Sequence, residues 1–291
     1  MNTKKILEAG KIAKQAKEYA KNLIKKDMLL LEIAEKIESK IIKLGGKLAF
    51  PVNLSIDNIA AHYTPSYNDK LKAYGLLKVD LGVHIDGFIA DTAFSLDLEN
   101  SEENKKLIEA SKKALEVAQK TIKKEIKVNE IGRIIEKTIE SQGFSPIINL
   151  SGHEMKKYEL HAGLTIPNID NKKRIPLLTG LYAVEPFAST GNGKIHDGKP
   201  SGIYMLQLQN QPRSPIAREI LQYIIEEYQT LPFCSRWLIK KFNTKALFAL
   251  RELENNGNLH HFPQLVEKEN SKVSQAENTI LVEDKTTVTT E

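Results

Sequence analysis

Residues 78–95, KVDLGVHIDGFIADTAFS, hold two aspartates whose spacing points to chemistry. The stretch alternates as strands do around Asp86-Gly87, a favoured two-residue hairpin turn. That turn sets Asp91 opposite Gly82, with Asp80 one diagonal step away on the same face. Val79, Leu81, Val83 and Ile85 then share the other face with Phe88, Ala90 and Phe94, an apolar side for packing under helices. Aspartate is disfavoured in strands, and diagonal neighbours stand roughly 7 Å apart. Two negative charges so placed need a cation or a raised pKa, and a metal is the simpler answer. The plain alternative is a pair of acids on a solvated strand.

A second pair of carboxylates follows from internal repetition. LEIAEKIE (31–38) resembles NEIGRIIE (129–136), and Asn-Leu-Ser stands at both 53–55 and 149–151. GLLKVD (75–80) is echoed by GLYAVE (180–185), and Ala90-Asp91-Thr92 by Ala276-Glu277-Asn278-Thr279. These matches, all in the same order, read as two α+β halves related by a pseudo-twofold. Glu185 closes one expected strand and Glu277 opens another, and these two strands should pair as the first hairpin does. His153 is the natural nitrogen donor. It follows an expected strand over 147–150, where Gly152 allows close backbone approach. Such an oxygen-rich site with one imidazole suits Mn, Fe, Co or Zn. Shared carboxylates between two ions about 3.5–4 Å apart would make a hydrolytic centre. His62 and His161 stand in comparable frames, AAHYTP and LHAG. Either they exchange protons or hydrogen bonds with an atom at that centre, or they are structural. His84, His196, His260 and His261 have no such context.

Four helices should position these groups. The stripe Ile6, Ala9, Ala13, Ala16, Ala20 and Leu23 predicts a helix over 4–24. Another runs from Leu30 to Leu44 and stops at Gly45-Gly46. Two more open at Ser101 and Asn129, read as N-caps, and the second ends near Gly143. An insertion over 203–272 separates the last two strands. It carries helices over 215–228 and 244–256, with a turn at Leu231-Pro232-Phe233 between them. A helix-turn-helix DNA reader has that outline, but residues 214–272 hold eight Lys+Arg against seven acids, no footprint for DNA. The expected organisation is a catalytic domain of residues 1–202 and 273–291 around an insertion of residues 203–272.

Composition sets the outer limits. Net charge is +5, and residues 1–48 hold twelve lysines against six acids, read as a solvated basic helix face. A ribosome surface is the acidic partner such a face would meet. The single cysteine, Cys234, excludes an internal disulfide and a cysteine-based zinc cluster. No apolar run suits a membrane span, and Met1 to Ala20 lacks a signal peptide's apolar core, so the cytoplasm is expected and the membrane is not. No heptad seam argues for assembly, and a monomer is expected.

The segments AFPVNLSIDNIAAHYTP, VDLGVHIDGFIADTA, NLSGHEMKKYELHAGLTIPN, YAVEPFAST and AENTILVED resemble the motif series of type II methionine aminopeptidases. The resemblance spans nearly the whole chain, insertion included, and is archaeal-like in opening directly on the catalytic domain. It implies the pita-bread fold: α+β, pseudo-twofold halves, an antiparallel sheet covered by helices, and a helical, winged-helix-like insertion. It implies removal of the initiator methionine from nascent polypeptide N-termini, with a preference for small second residues. By the same resemblance Asp91 and Glu277 bridge two divalent ions (Co, Mn, Fe or Zn). Asp80 holds one ion, while His153 and Glu185 hold the other. A hydroxide on the two metals attacks the scissile carbonyl, and Glu185 serves as general base and acid. His161 steadies the tetrahedral intermediate and His62 contacts substrate near the scissile bond. Phe50 and Leu160 line the methionine pocket. Two departures stand out: relatives often carry histidine at the position of Asn278, and Ile203 replaces a pocket histidine of eukaryotic members. Proline dipeptidases are similar too but usually carry a separate N-terminal domain. A binding homologue should lack one or more ligands, and all five are here.

Overall fold

Two helices followed by antiparallel strands occur twice along the chain. The computed structural model describes residues 1–291. The first half runs α1 (Thr3–Leu23), α2 (Leu30–Lys43), β1 (Lys47–Ile56), β2 (Ile59–Ala61), β3 (Leu76–Ile85) and β4 (Phe88–Asp97). The second runs α3 (Glu102–Thr121), α4 (Val128–Glu140), β5 (Ser145–Pro146), β6 (Ser151–Met155), β7 (Thr165–Pro167), β8 (Gly180–Val184) and β9 (Phe187–Ser189). An excursion follows through β10 (His196–Leu206), α5 (Pro215–Glu227), β11 (Phe233–Cys234), α6 (Ser235–Phe242), α7 (Lys245–Asn255) and β12 (Leu259–Val266). The chain returns as β13 (Val273–Gln275), β14 (Asn278–Val282) and β15 (Thr286–Val288).

Each half packs its helix pair on its own sheet. In the first, the buried stripes of α1 and α2 (Ile6 to Ala20, Leu30 to Ile41) cover the sheet β1-β3-β4. Val79, Leu81, Val83, Ala90 and Phe94 supply the sheet's side of that core, as the alternation predicts, whereas Phe88 turns toward Leu160 and Met155. In the second half α3 and α4 cover β8 and β14 through Leu107, Ala114, Ile131, Ile135, Tyr182 and Ile280. A bridge between Ala93 and Glu277 sets the two sheets side by side.

Two local expectations differ from the structure. Helix α4 opens at Val128 with Lys127 as its cap, and Asn129 lies inside the first turn, its amide donating to Asp170 at 3.1 Å. The expected strand over 147–150 is instead the approach to β6, because β7 and β8 pair with residues 151–155. His153 therefore sits within a strand and not in the loop after one. Other expected signals hold in both halves: Gly45 takes φ 90° after α2, and Ser101 caps α3 by accepting from the Asn104 amide.

The excursion builds its own apolar cluster from α5, α6, α7 and the β10-β12 ladder, among them Ile220, Ile224, Phe233, Leu238 and Leu250. Helix α6 follows the turn expected at residues 231–233, over a stretch where the sequence suggested no element, and residue 203 falls inside β10. A buried ion pair ties this unit to α2. Arg236 meets Glu38 with both guanidinium ends at 2.7 and 2.8 Å, and Trp237 Nε1 donates to the same carboxylate at 3.0 Å. Removing one partner strands a buried charge, so Arg236→Met is expected to cost about 3–5 kcal/mol in urea unfolding. The double variant Glu38→Met/Arg236→Met should recover part of that loss. A double variant as unstable as the single one would contradict this account of the pair.

Candidate active site

The β3-β4 hairpin turns on Asp86 and Gly87, both at positive φ (49° and 85°), with Ile85 facing Phe88. This pins the register: Asp91 pairs with Gly82 and Asp80 with Ala93, as the turn chemistry predicts. In the second half β14 pairs with β8, Asn278 opposite Val184. Glu185 and Glu277 lie one residue past the ends of those strands, where the ladder breaks before β13 and β9 resume it. His153 is the residue of β6 opposite Ala183.

These five side chains converge on one cavity of about 340 Å³. His153 Nε2 stands 3.7 Å from Asp91 Oδ2 and 3.7 Å from Glu185 Oε1. One donor atom from each of Asp91, His153 and Glu277 lies within 4.8 Å of the others. Asp80 lines the same cavity. The only ion-pair contacts these carboxylates make are those to His153. Burial therefore raises all four carboxyl pKa values. Asp80 is pushed up to about 7. Asp91, Glu185 and Glu277 lie well above the ordinary range, first through burial and then through the charges of neighbouring carboxylates, Asp80 among them. Burial, reinforced by His161, pulls His153 down to about 3, which keeps its imidazole neutral and ready to ligate. Asp80 Oδ1, Asp91 Oδ1, Glu277 Oε1 and His153 Nδ1 are buried without any hydrogen-bond partner. Orphaned acceptors and crowded negative charge are what divalent cations relieve, and the donor set fits them.

His161 and His62 stand at the same cavity. The His161 ring packs edge-on against His153 at 4.4 Å between centroids. His62, at φ 63°, places Nδ1 3.2 Å from the Pro263 carbonyl oxygen. A carbonyl only accepts, so Nδ1 carries the proton and Nε2 remains an acceptor. Burial, with His161 nearby, lowers the His62 pKa to about 4, so this tautomer stays neutral. Phe50, Leu160 and Ile203 form apolar wall.

Two lining residues, Asn53 and Phe262, and one that touches the acids from behind, Gln275, were not evident from the sequence. Gln275 donates to Glu185 Oε2 at 3.3 Å and lies 3.5 Å from Glu277 Oε2, two residues before Glu277 on the same side of the strand. Asn53 is the register partner of Asp80, and Phe262 sits edge-on to His62. Alternation could have suggested Gln275; nothing local marks Phe262. Gly82 has a definite role: a methyl group there would collide with the Phe50 ring. Gly82→Ala should displace Phe50, raise KM for the methionyl peptides that the sequence resemblance implies, and cost about 1–3 kcal/mol of stability. Steady-state kinetics check this, and an unchanged KM would show that Phe50 does not shape the pocket.

The model of metallopeptidase family M24 matches residues 4–227. A methionine aminopeptidase of Pyrococcus abyssi is 48% identical, with 100% of each chain covered. One from Methanocaldococcus jannaschii is 46% identical over 96% of this chain and 94% of that one. The chain belongs to the methionine aminopeptidases of family M24. It is a metal-dependent aminopeptidase that acts on N-terminal methionine. Solved structures agree on the fold: a methionine aminopeptidase of Thermotoga maritima superposes with TM-score 0.71 at 21% identity, covering 99% of this chain and 96% of that one. A thermophilic Arx1 reaches TM-score 0.85 at 17% identity, covering 98% and 90%. The arrangement of halves is thus the pita-bread fold of methionine aminopeptidases. No helix is long and apolar enough to cross a membrane.

Proposed function

We propose that this methionine aminopeptidase works with two divalent ions, of Co, Mn, Fe or Zn, held by Asp80, Asp91, His153, Glu185 and Glu277. The observation that carries the reading is the convergence of five donors, with buried unpartnered oxygens on Asp80, Asp91 and Glu277, on a cavity lined by no lysine or arginine. Asp91 and Glu277, one from each half, would be shared by the ions, with Asp80 as a further ligand to one and His153 and Glu185 to the other. When bound, the ions supply a water of lowered pKa and a Lewis acid for the scissile carbonyl. Glu185, ionised once it ligates, would take a proton from the attacking water and pass it to the leaving amine. His161 donates to the oxyanion of the tetrahedral intermediate, and His62 Nε2 accepts from the substrate next to the scissile bond. Phe50 and Leu160 enclose the methionine side chain. The two histidines crowd the position of the second residue, which favours small ones.

Nascent polypeptides are the substrates, and a cytoplasmic monomer is the working form. The exposed lysines Lys4, Lys11, Lys14, Lys25 and Lys26 face a ribosome surface; a ribosome pull-down without salt-sensitive association would remove that partner. For the chemistry, release of methionine from Met-Ala-Ser and Met-Pro peptides should appear on reconstitution with Mn, Fe or Co. It should vanish in Asp91→Ala and fall for Met-Leu peptides. Folded protein that releases no methionine with any of these metals would refute the reading.

A further inference from the structure

Side chains alternate across a strand, so the residues next to Asp91 and Glu277 point away from the cavity. Those residues, Thr92 and Asn278, meet a lysine. Lys17, on the buried face of α1 and only 9% exposed, donates to Thr92 Oγ1 at 3.0 Å and to Asn278 Oδ1 at 2.9 Å. Both acceptors are neutral. A buried ammonium without a carboxylate partner costs several kcal/mol in lost hydration, so packing alone does not account for it.

The surrounding hydrogen bonds connect it to the ligands. Thr92 Oγ1 lies 2.8 Å from the Glu277 carbonyl, and Thr279 Oγ1 lies within 2.7–2.8 Å of both the amide and the carbonyl of Asp91. Thr290 also donates to Asn278 Oδ1, at 2.9 Å. The β4 and β14 strands come from different sheets, and directly between them only the reciprocal amide bonds of Ala93 and Glu277 run backbone to backbone. Lys17 is the one charged donor that grips both. Its charge also acts on Glu277, while Lys21, Glu291 and Glu18 are its own charged neighbours.

We propose that Lys17 is a positioning residue for the metal centre, clamping Thr92 and Asn278 so that Asp91 and Glu277 stay at bridging distance. It touches neither substrate nor ligand oxygens. The assignment gives Asn278 a role, since its carbonyl oxygen accepts from the ammonium. This inference rests on the two-ion reading of the cavity. A space of about 430 Å³ behind Lys17, lined by Lys14, Lys21, Gln119 and Thr290, leaves room for a longer cation.

The test is calorimetric titration of Mn into chelator-stripped, folded protein: parent, Lys17→Met, Lys17→Arg and Thr92→Val. Lys17→Met should weaken Mn binding about 10- to 100-fold, and Lys17→Arg should return it to within about threefold of the parent. Thr92→Val, nearly isosteric, should fall between parent and Lys17→Met and serves if Lys17→Met does not fold. Parent affinity in folded Lys17→Met, or in Thr92→Val where Lys17→Met cannot be folded, overturns the proposal. So does Lys17→Arg binding as weakly as Lys17→Met. If the parent itself binds no Mn and releases no methionine, the two-ion reading has failed instead.

Discussion

Asp91→Asn is expected to melt at a higher temperature than the parent when both are stripped of metal, yet to lose about 10³-fold or more in kcat/KM when metal is supplied. The two effects share one cause. Asparagine keeps the volume of the side chain and removes one of four carboxylates packed in the same buried cavity. Burial, then Asp80 and Glu185, hold the Asp91 carboxyl well above its ordinary pKa, so its charge is a liability to the empty fold. Each kcal/mol of relief should appear as about 2–4 °C in a chain of this size. With ions present the same substitution removes a bridging ligand, and a deficit of about 4 kcal/mol in the transition state is a factor of 10³. Thermal melts with and without chelator, beside a peptide assay, separate the two. A metal-free variant that melts lower, or one that keeps parental activity, would refute the assignment.

The second large effect is the pH dependence of metal binding. An acid whose pKa is raised by folding keeps its proton after the unfolded chain has released its own near pH 4. The metal-free fold therefore loses stability as pH rises from about 4 through the pKa of about 7 held by Asp80, the reverse of ordinary acid denaturation. Ligation requires the ionised carboxylates, so ions displace those protons. With at least two protons displaced, Kd should tighten about 100-fold per pH unit between pH 5 and 7. Calorimetry in buffers of different ionisation enthalpy counts the protons directly. Mn binding that releases none at pH 6 would mean that the carboxylates are already ionised and the cavity is better solvated than its burial implies.

The parts of this site that were legible in the sequence are those fixed by neighbours along the chain. The Asp86-Gly87 turn alone sets the register that brings Asp80 and Asp91 to one face. The repeat of that pattern around Glu185 and Glu277 carried the second pair. What was misread depended on distant partners. Ile147 and Ile148 have strand-like side chains, but the ladders with β7 and β8 form at residues 151–155, and tertiary pairing outweighed propensity. Helix α6 was hidden because its buried face is completed by Arg236, a residue that reads as surface until Glu38 is found opposite it. Lys17 was misread in the same way: it looked like one more lysine of a solvated face, and only the fold shows that α1 turns it inward onto Thr92 and Asn278.

Anomalous diffraction from crystals of the protein grown with Mn locates the ions directly. Two peaks about 3.5–4 Å apart are expected, both within ligand distance of Asp91 and Glu277, one also reached by Asp80 and the other by His153 and Glu185. A single peak, or manganese bound away from these five residues, would contradict the two-ion reading.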